Sequence, residues 1–241
     1  WIRGDYLISG ATLNRFFALH VVALPIVLLG LVVLHLLALH EVGSNNPDGI
    51  EIKRTKGPDG IPLDGVPFHP YYTIYHDLPG VVLFLTVFCA IVFFAPEMGG
   101  YFLEVANFQE ANPLKTPEHV PPVWYYTPFY SMLRAVTWSG FGMDAKFWGM
   151  LVMFSAIAIL FTLPWLDKSS VRSMRYKGWY SRIALLVFVV SFIILGVLGT
   201  QAVSPAKTLL AQITTAIYFL YFILMPFYTR AEKVAEPPGR V

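Results

Sequence analysis

Residues 19–47 read LHVVALPIVLLGLVVLHLLALHEVGSNNP. The stretch is almost wholly apolar as far as Leu39, yet it carries His20, His35 and His40 before it stops in a run of small polar residues. An ionisable side chain inside a membrane is costly and marks a functional site by default, so three histidines on one segment need a reason. His20 and His35 lie 15 positions apart, about 22 Å along a helix axis at ~1.5 Å per residue. At ~100° per residue their azimuths differ by about 60°, so both rings face roughly one side. Pro25 lies between them and is expected to bend the helix. The plain reading is that each histidine bonds a neighbouring helix. For two histidines near opposite ends of one span it is the weaker one.

The rest of the chain says that this segment sits in a membrane. Of 241 residues 56% are apolar and 13% charged, where a soluble domain carries about a quarter charged. No Asp, Glu, Lys or Arg falls between Arg15 and Glu41, Asp77 and Glu97, Lys146 and Asp167, Arg182 and Lys207, or Lys207 and Arg230. Each of these gaps is close to the ~20 residues that a helix needs to cross the hydrocarbon. Five transmembrane helices are expected. The one cysteine, Cys89, lies inside the second gap and rules out a disulfide framework or a cysteine metal site. A net charge of +2 is too small to imply nucleic acid. The chain opens on Trp1-Ile2-Arg3 with no signal-peptide pattern, as a piece of a longer protein would.

Orientation follows from loop charge. If the first span runs inward, the inner segments hold Lys53, Arg54, Lys56, Lys168, Arg172, Arg175, Lys177, Arg182, Arg230, Lys233 and Arg240. The outer segments then hold only Arg3, Arg15, Lys115, Arg134, Lys146 and Lys207. The positive-inside rule favours this choice and a cytoplasmic carboxyl terminus. A neutral imidazole is a good axial ligand for haem iron, so two inward-facing rings at different depths suit two such groups.

Four motifs, ATLNRFFALH (11–20), HLLALHEVGSNNP (35–47), PFHPYYT (67–73) and PPVWYYTPFYSMLRA (121–135), together resemble cytochrome b of the quinol–cytochrome c oxidoreductases. The resemblance covers essentially the whole chain and implies an all-α integral membrane fold. Its five spans are then the family's fourth to eighth helices, without the first three, and a short amphipathic interfacial helix lies in the outer loop. It implies that His20 ligates a low-potential haem b near the outer face and His35 a high-potential haem b near the inner face. The second axial ligand of each haem lies outside this segment. Arg15, one turn before His20, is placed to meet a haem propionate; a snorkelling surface arginine is the alternative. The fourteen residues between the two histidines exceed the mitochondrial pattern by one, which implies a bacterial protein in an inner membrane.

The same resemblance implies two quinone sites. At the inner face His40, Ser44 and Asp77 surround the quinone, with a histidine and a carboxylate to relay the two protons that its reduction takes up. The run TIYHD, Thr73 to Asp77, holds one residue more than the family pattern, so His76 and Asp77 are both candidates for that role. At the outer face Pro122-Val123-Trp124-Tyr125 resembles the family's Pro-Glu-Trp-Tyr, and Tyr130 matches the tyrosine that closes the pocket. Val123 replaces the glutamate, and Glu118, in TPEHVPPV (116–123), is the candidate to accept the proton in its place, with His119 a second candidate and water, beside a merely solvated Glu118, the alternative.

By this reading residues 1–44 hold the end of an outer loop, the haem-ligating helix and the inner quinone-site turn. Residues 45–76 form an inner loop, 77–96 the second span, and 97–145 the outer loop with its tetrapeptide. Residues 146–230 are three scaffold spans and 231–241 an inner tail. In the scaffold, Gly149, Gly196 and Gly199 suit close helix packing and Gln212 a bond across helices. The implied partners are an iron–sulfur protein, a membrane-anchored cytochrome c subunit, the missing amino-terminal part, lipid and a second copy of the complex. A proton-coupled transporter using the intramembrane histidines is the alternative, but it leaves the tetrapeptide unexplained. The split plastoquinol–plastocyanin relative is disfavoured, because one uninterrupted chain carries all five spans.

Overall fold

A long uncharged apolar run satisfies its own backbone in a bilayer by forming a helix, and this chain does so five times. The computed structural model describes residues 1–100, 108–110 and 120–239. It is all-helical: among the described residues the only β-type pairings are two isolated bridges, Lys56 to Pro62 and Gly140 to Met143. Five helices are long and apolar enough to cross a membrane: α1 Gly10–Val42, α2 Thr73–Phe94, α4 Ala145–Leu166, α5 Trp179–Gly199 and α6 Pro205–Ile223. Two shorter ones, α3 Thr127–Ala135 and α7 Met225–Ala231, complete the set. By its internal contacts the chain divides into two units, Trp1–Ile50 and Glu51–Val241.

Caps and prolines set the helix ends. Asp144 accepts the amide of Phe147 at 2.9 Å and starts α4. Ser204 caps α6, which opens on Pro205, a residue whose missing N–H costs nothing in a first turn. Gly43, with φ of 69°, stops α1 and donates its amide to Leu39 at 2.7 Å, the usual glycine termination of a helix.

In the second unit the packing centre is the shortest of the connecting helices. α3, the short amphipathic helix read from the sequence, packs its buried face against α4, α5 and α6. Thr127, Pro128, Ser131, Met132 and Ala135 are buried, with Met132 wholly so. Two of the glycines read from the sequence as packing points explain the close approach. A Cβ on Gly149 would lie 2.3 Å from the Leu133 carbonyl oxygen, and one on Gly199 2.2 Å from that of Thr127. Gln212 makes the expected cross-helix bond, donating to the Ala135 carbonyl at 2.9 Å. The Tyr218 hydroxyl donates to the Ala156 carbonyl at 2.8 Å and ties α6 to α4. Around it Phe188, Phe192 and Phe222 form an aromatic cluster.

The opposite ends of these helices are also tied. Glu232 accepts the amide of Ser181 at 3.1 Å and its hydroxyl at 2.7 Å, so a carboxylate from the tail caps α5. Lys177 pairs with Asp167, and the Lys168 amide donates to the Thr229 hydroxyl at 3.0 Å.

Candidate functional site

His20 sits in a widened turn. Over Leu19–Ala23 the helix closes one residue later than an α-turn, and the Leu24 amide reaches back to the Leu19 carbonyl. The cause is local: Pro25 has no N–H for the carbonyl of Val21, so the turn before it opens. A widened turn advances fewer degrees per residue, so the azimuths of His20 and His35 differ by less than the ~60° of a straight helix. The proline that loosened the expected geometry improves it. No residue of the Leu24–Val42 segment is buried. His20, His35 and His40 are all exposed, and none has a hydrogen-bond partner among the described residues.

Arg15 turns toward the amino terminus. Its guanidinium donates to the Trp1 carbonyl and lies 5.4 Å from the centroid of the Trp1 ring. Beyond His40 the helix ends in an ordered turn rather than a loose tail. The Asn46 side chain accepts the amides of Asp48 and Ile50, both at 3.2 Å, and donates to the Ile50 carbonyl at 2.6 Å. Ser44 is exposed at the start of that turn.

The second span repeats the device. Thr73–Asp77 is again a widened turn directly before a Leu-Pro pair, Leu78-Pro79. The Asp77 amide reaches the Tyr72 carbonyl at 2.7 Å and the Leu78 amide the Thr73 carbonyl. His76 and Asp77 differ in their surroundings. The His76 Nδ1 lies 2.7 Å from the Tyr71 carbonyl, to which it donates, and its ring is 5.5 Å from that of Tyr72. The Asp77 side chain is exposed and has no partner among the described residues. His40 and Ser44 belong to the first unit and Asp77 to the second.

The tetrapeptide forms the turn into α3. The Val123 carbonyl accepts the Tyr126 amide at 2.9 Å, and the Trp124 carbonyl accepts the Thr127 hydroxyl at 2.7 Å. The backbone is held while Val123, Trp124 and Tyr125 stay exposed; Trp124 and Tyr125 meet edge to face at 5.7 Å. Tyr130, one turn into α3, is half-buried. Glu118 and His119 lie outside the described residues. One residue taken from the sequence only as an outer-loop cation proves central. The Arg134 guanidinium lies 4.6 Å from the Tyr130 ring centroid and donates to the carbonyls of Leu198 and Gln201 at 2.6 and 3.1 Å. The spacing of four between Tyr130 and Arg134 on one helix was the available signal.

Five apolar helices and one span with exposed ligand-type side chains at two depths define the class as a multi-span membrane protein. Residues 1–128 match the family Cytochrome b(N-terminal)/b6/petB and residues 110–219 match Cytochrome b(C-terminal)/b6/petD. The chain belongs to the cytochrome b family. It is 58% identical to Cytochrome b of Allochromatium vinosum, over 100% of this chain and 58% of that protein. It is 42% identical to Cytochrome b of Rickettsia prowazekii, over 99% of this chain and 55% of that one. The fold is similar to a chain of a solved structure titled Hyperthermophilic respiratory Complex III, with a TM-score of 0.79 and 36% identity, over 96% of this chain and 55% of the other. The chain therefore spans a little over half the length of the relatives it matches.

Proposed function

We propose that this chain is the part of a respiratory quinol–cytochrome c oxidoreductase that ligates two b haems and frames two quinone sites. The observation that carries the reading is the pair His20 and His35. Both are exposed, neither has a hydrogen-bond partner among the described residues, and they lie near opposite ends of one 33-residue apolar helix. Hydrocarbon offers an imidazole no partner, and an axial bond to iron supplies one. His20 would hold the low-potential haem near the outer face and His35 the high-potential haem near the inner face, and Arg15 would meet a propionate. The second ligand of each haem would come from outside these residues. When bound, haem b supplies the one-electron carriers between the two faces.

At the outer site, quinol gives up two electrons and two protons. Pro122, Val123, Trp124 and Tyr125 frame it and Tyr130 closes it. Glu118 accepts one proton and a histidine of an iron–sulfur partner the other, since valine at 123 accepts none. One electron leaves through that partner toward a membrane-anchored cytochrome c subunit. At the inner site quinone takes up two electrons and two protons. Ser44 and His40 bind it, and His40 and Asp77 deliver the protons. The Asp77 carboxylate is preferred to His76 because the Nδ1 of His76 is committed to the Tyr71 carbonyl. Proton release outside and uptake inside couple the chemistry to the membrane potential. The complex works as a dimer in a bacterial plasma membrane, with the carboxyl terminus of this chain in the cytoplasm.

A reduced-minus-oxidised visible spectrum of the purified complex tests this reading. Two b-type signals are expected. Absence of any b-type absorption would return the histidines to the alternative of a proton-coupled transporter.

A further inference from the structure

We propose that Arg134 is the positioning residue for Tyr130, holding the tyrosine ring at the angle at which it closes the outer site. This rests on reading Tyr130 as part of that site. Three observations carry it. First, the guanidinium sits 4.6 Å from the ring centroid, inside the ~6 Å reach of a cation–π contact. Second, its orientation is not free. Both terminal nitrogens donate to carbonyls, Leu198 in the last turn of α5 at 2.6 Å and Gln201 two residues past its end at 3.1 Å. The negative end of a helix favours a cation there. A planar fork held at two points has a fixed face, and the ring lies against that face; an ammonium offers no such plane.

Third, Arg134 is redundant as a mere fastening. α3 is already locked to α5 through Gly199 against the Thr127 carbonyl, to α4 through Gly149 against that of Leu133, and to α6 through Gln212. What Arg134 adds beyond these is a fixed cation against the ring of the half-buried Tyr130. The bundle thereby sets the ring at the site mouth.

The test uses the intact complex, with Arg134→Gln and Arg134→Lys, each alone and combined with Tyr130→Leu. Both replacements keep one donor for the α5 carbonyls, and Lys also keeps the charge. Two b-type signals report assembly, and KM for quinol is read separately from kcat. Arg134→Gln should raise KM for quinol by roughly three- to tenfold with a smaller change in kcat, the size of one partly desolvated cation–π contact. Arg134→Lys should recover only part of that loss, since it keeps the charge but not the plane. With Tyr130→Leu present, neither replacement should change KM further. Equal effects of Gln and Lys, or an undiminished effect without the tyrosine, would reduce Arg134 to a fastening and overturn the proposal. Should Gln fail to assemble, the Lys variant decides by the same comparison with and without Tyr130→Leu. If Tyr130→Leu alone leaves KM and turnover unchanged, the outer-site reading fails first and takes this one with it.

Discussion

The first helix and the bundle around α3 are made of much the same apolar residues and put them to opposite use. In the most apolar window of α1 nothing is buried, against 28% of the corresponding window of α6. Lipid tails are as apolar as leucine, so two helices in a bilayer gain little by merely covering each other's side chains. Close backbone approach and bonds across helices are what hold them together. The bundle has both, at Gly149, Gly199, Gln212 and Tyr218. The first helix has neither among the described residues: a Cβ on Gly30, midway along it, would meet nothing within 4 Å. Its polar groups are imidazoles instead. The bundle is shaped to hold itself, and the first span carries imidazoles in place of such contacts among the described residues.

This contrast breaks most easily at the glycines. Gly199→Val places side-chain carbon on the Thr127 carbonyl, and the α3–α5 approach cannot survive it. The expected result is loss of the protein from the membrane, read by its abundance and by both haem signals. Normal abundance would mean that the bundle is not held by backbone approach. The next largest effect is on the other side of the comparison. His35→Leu should remove the high-potential haem signal and leave the protein inserted, because leucine suits lipid but cannot ligate iron. His20→Leu should remove the low-potential signal and quinol oxidation. Redox titration of the b-type absorption decides, and two retained signals in either variant would sink that assignment.

Smaller effects sharpen the picture within the sites. Asp77→Asn should slow reoxidation at the inner face by about a hundredfold or more, the range of a lost general acid, and leave reduction from the outer site nearly intact. His76→Ala, measured by flash kinetics beside it, should do neither; the reverse pattern would move the proton relay by one residue. Glu118→Gln should slow quinol oxidation several-fold and shift its pH dependence with both haems retained. An unchanged rate across pH would assign that proton elsewhere. The smallest effect belongs to Tyr218→Phe, which removes one cross-helix hydrogen bond worth about 0.6 kcal/mol. The melting temperature of the complex should fall by roughly 1–2 °C; a drop many times larger would make the aromatic cluster, not the glycines, the keystone of the bundle.

Sequence alone determined the number and kind of spans and the residues with ligand chemistry on the first. Both are matters of composition and period, and hydrocarbon forbids the alternatives to a helix. It also marked Gly149, Gly199 and Gln212 as contact points, since small residues let backbones approach and an amide bonds across helices in lipid. The span ends were less legible. The uncharged run between Arg182 and Lys207 contains both the end of α5 at Gly199 and the start of α6 at Pro205. Charge gaps do not see caps, and the short loop between the two helices carries no charge. Three things waited for the tertiary structure. The widened turns at His20 and at His76–Asp77 arise where a proline removes an amide from a helix already committed on both sides. α3 became the hub because backbone carbonyls, invisible in a string of side chains, sit in the notches of two glycines. Arg134 met Tyr130 and the end of α5 at once because residues 64 and 67 positions away were folded back to it, a juxtaposition that no local pattern encodes.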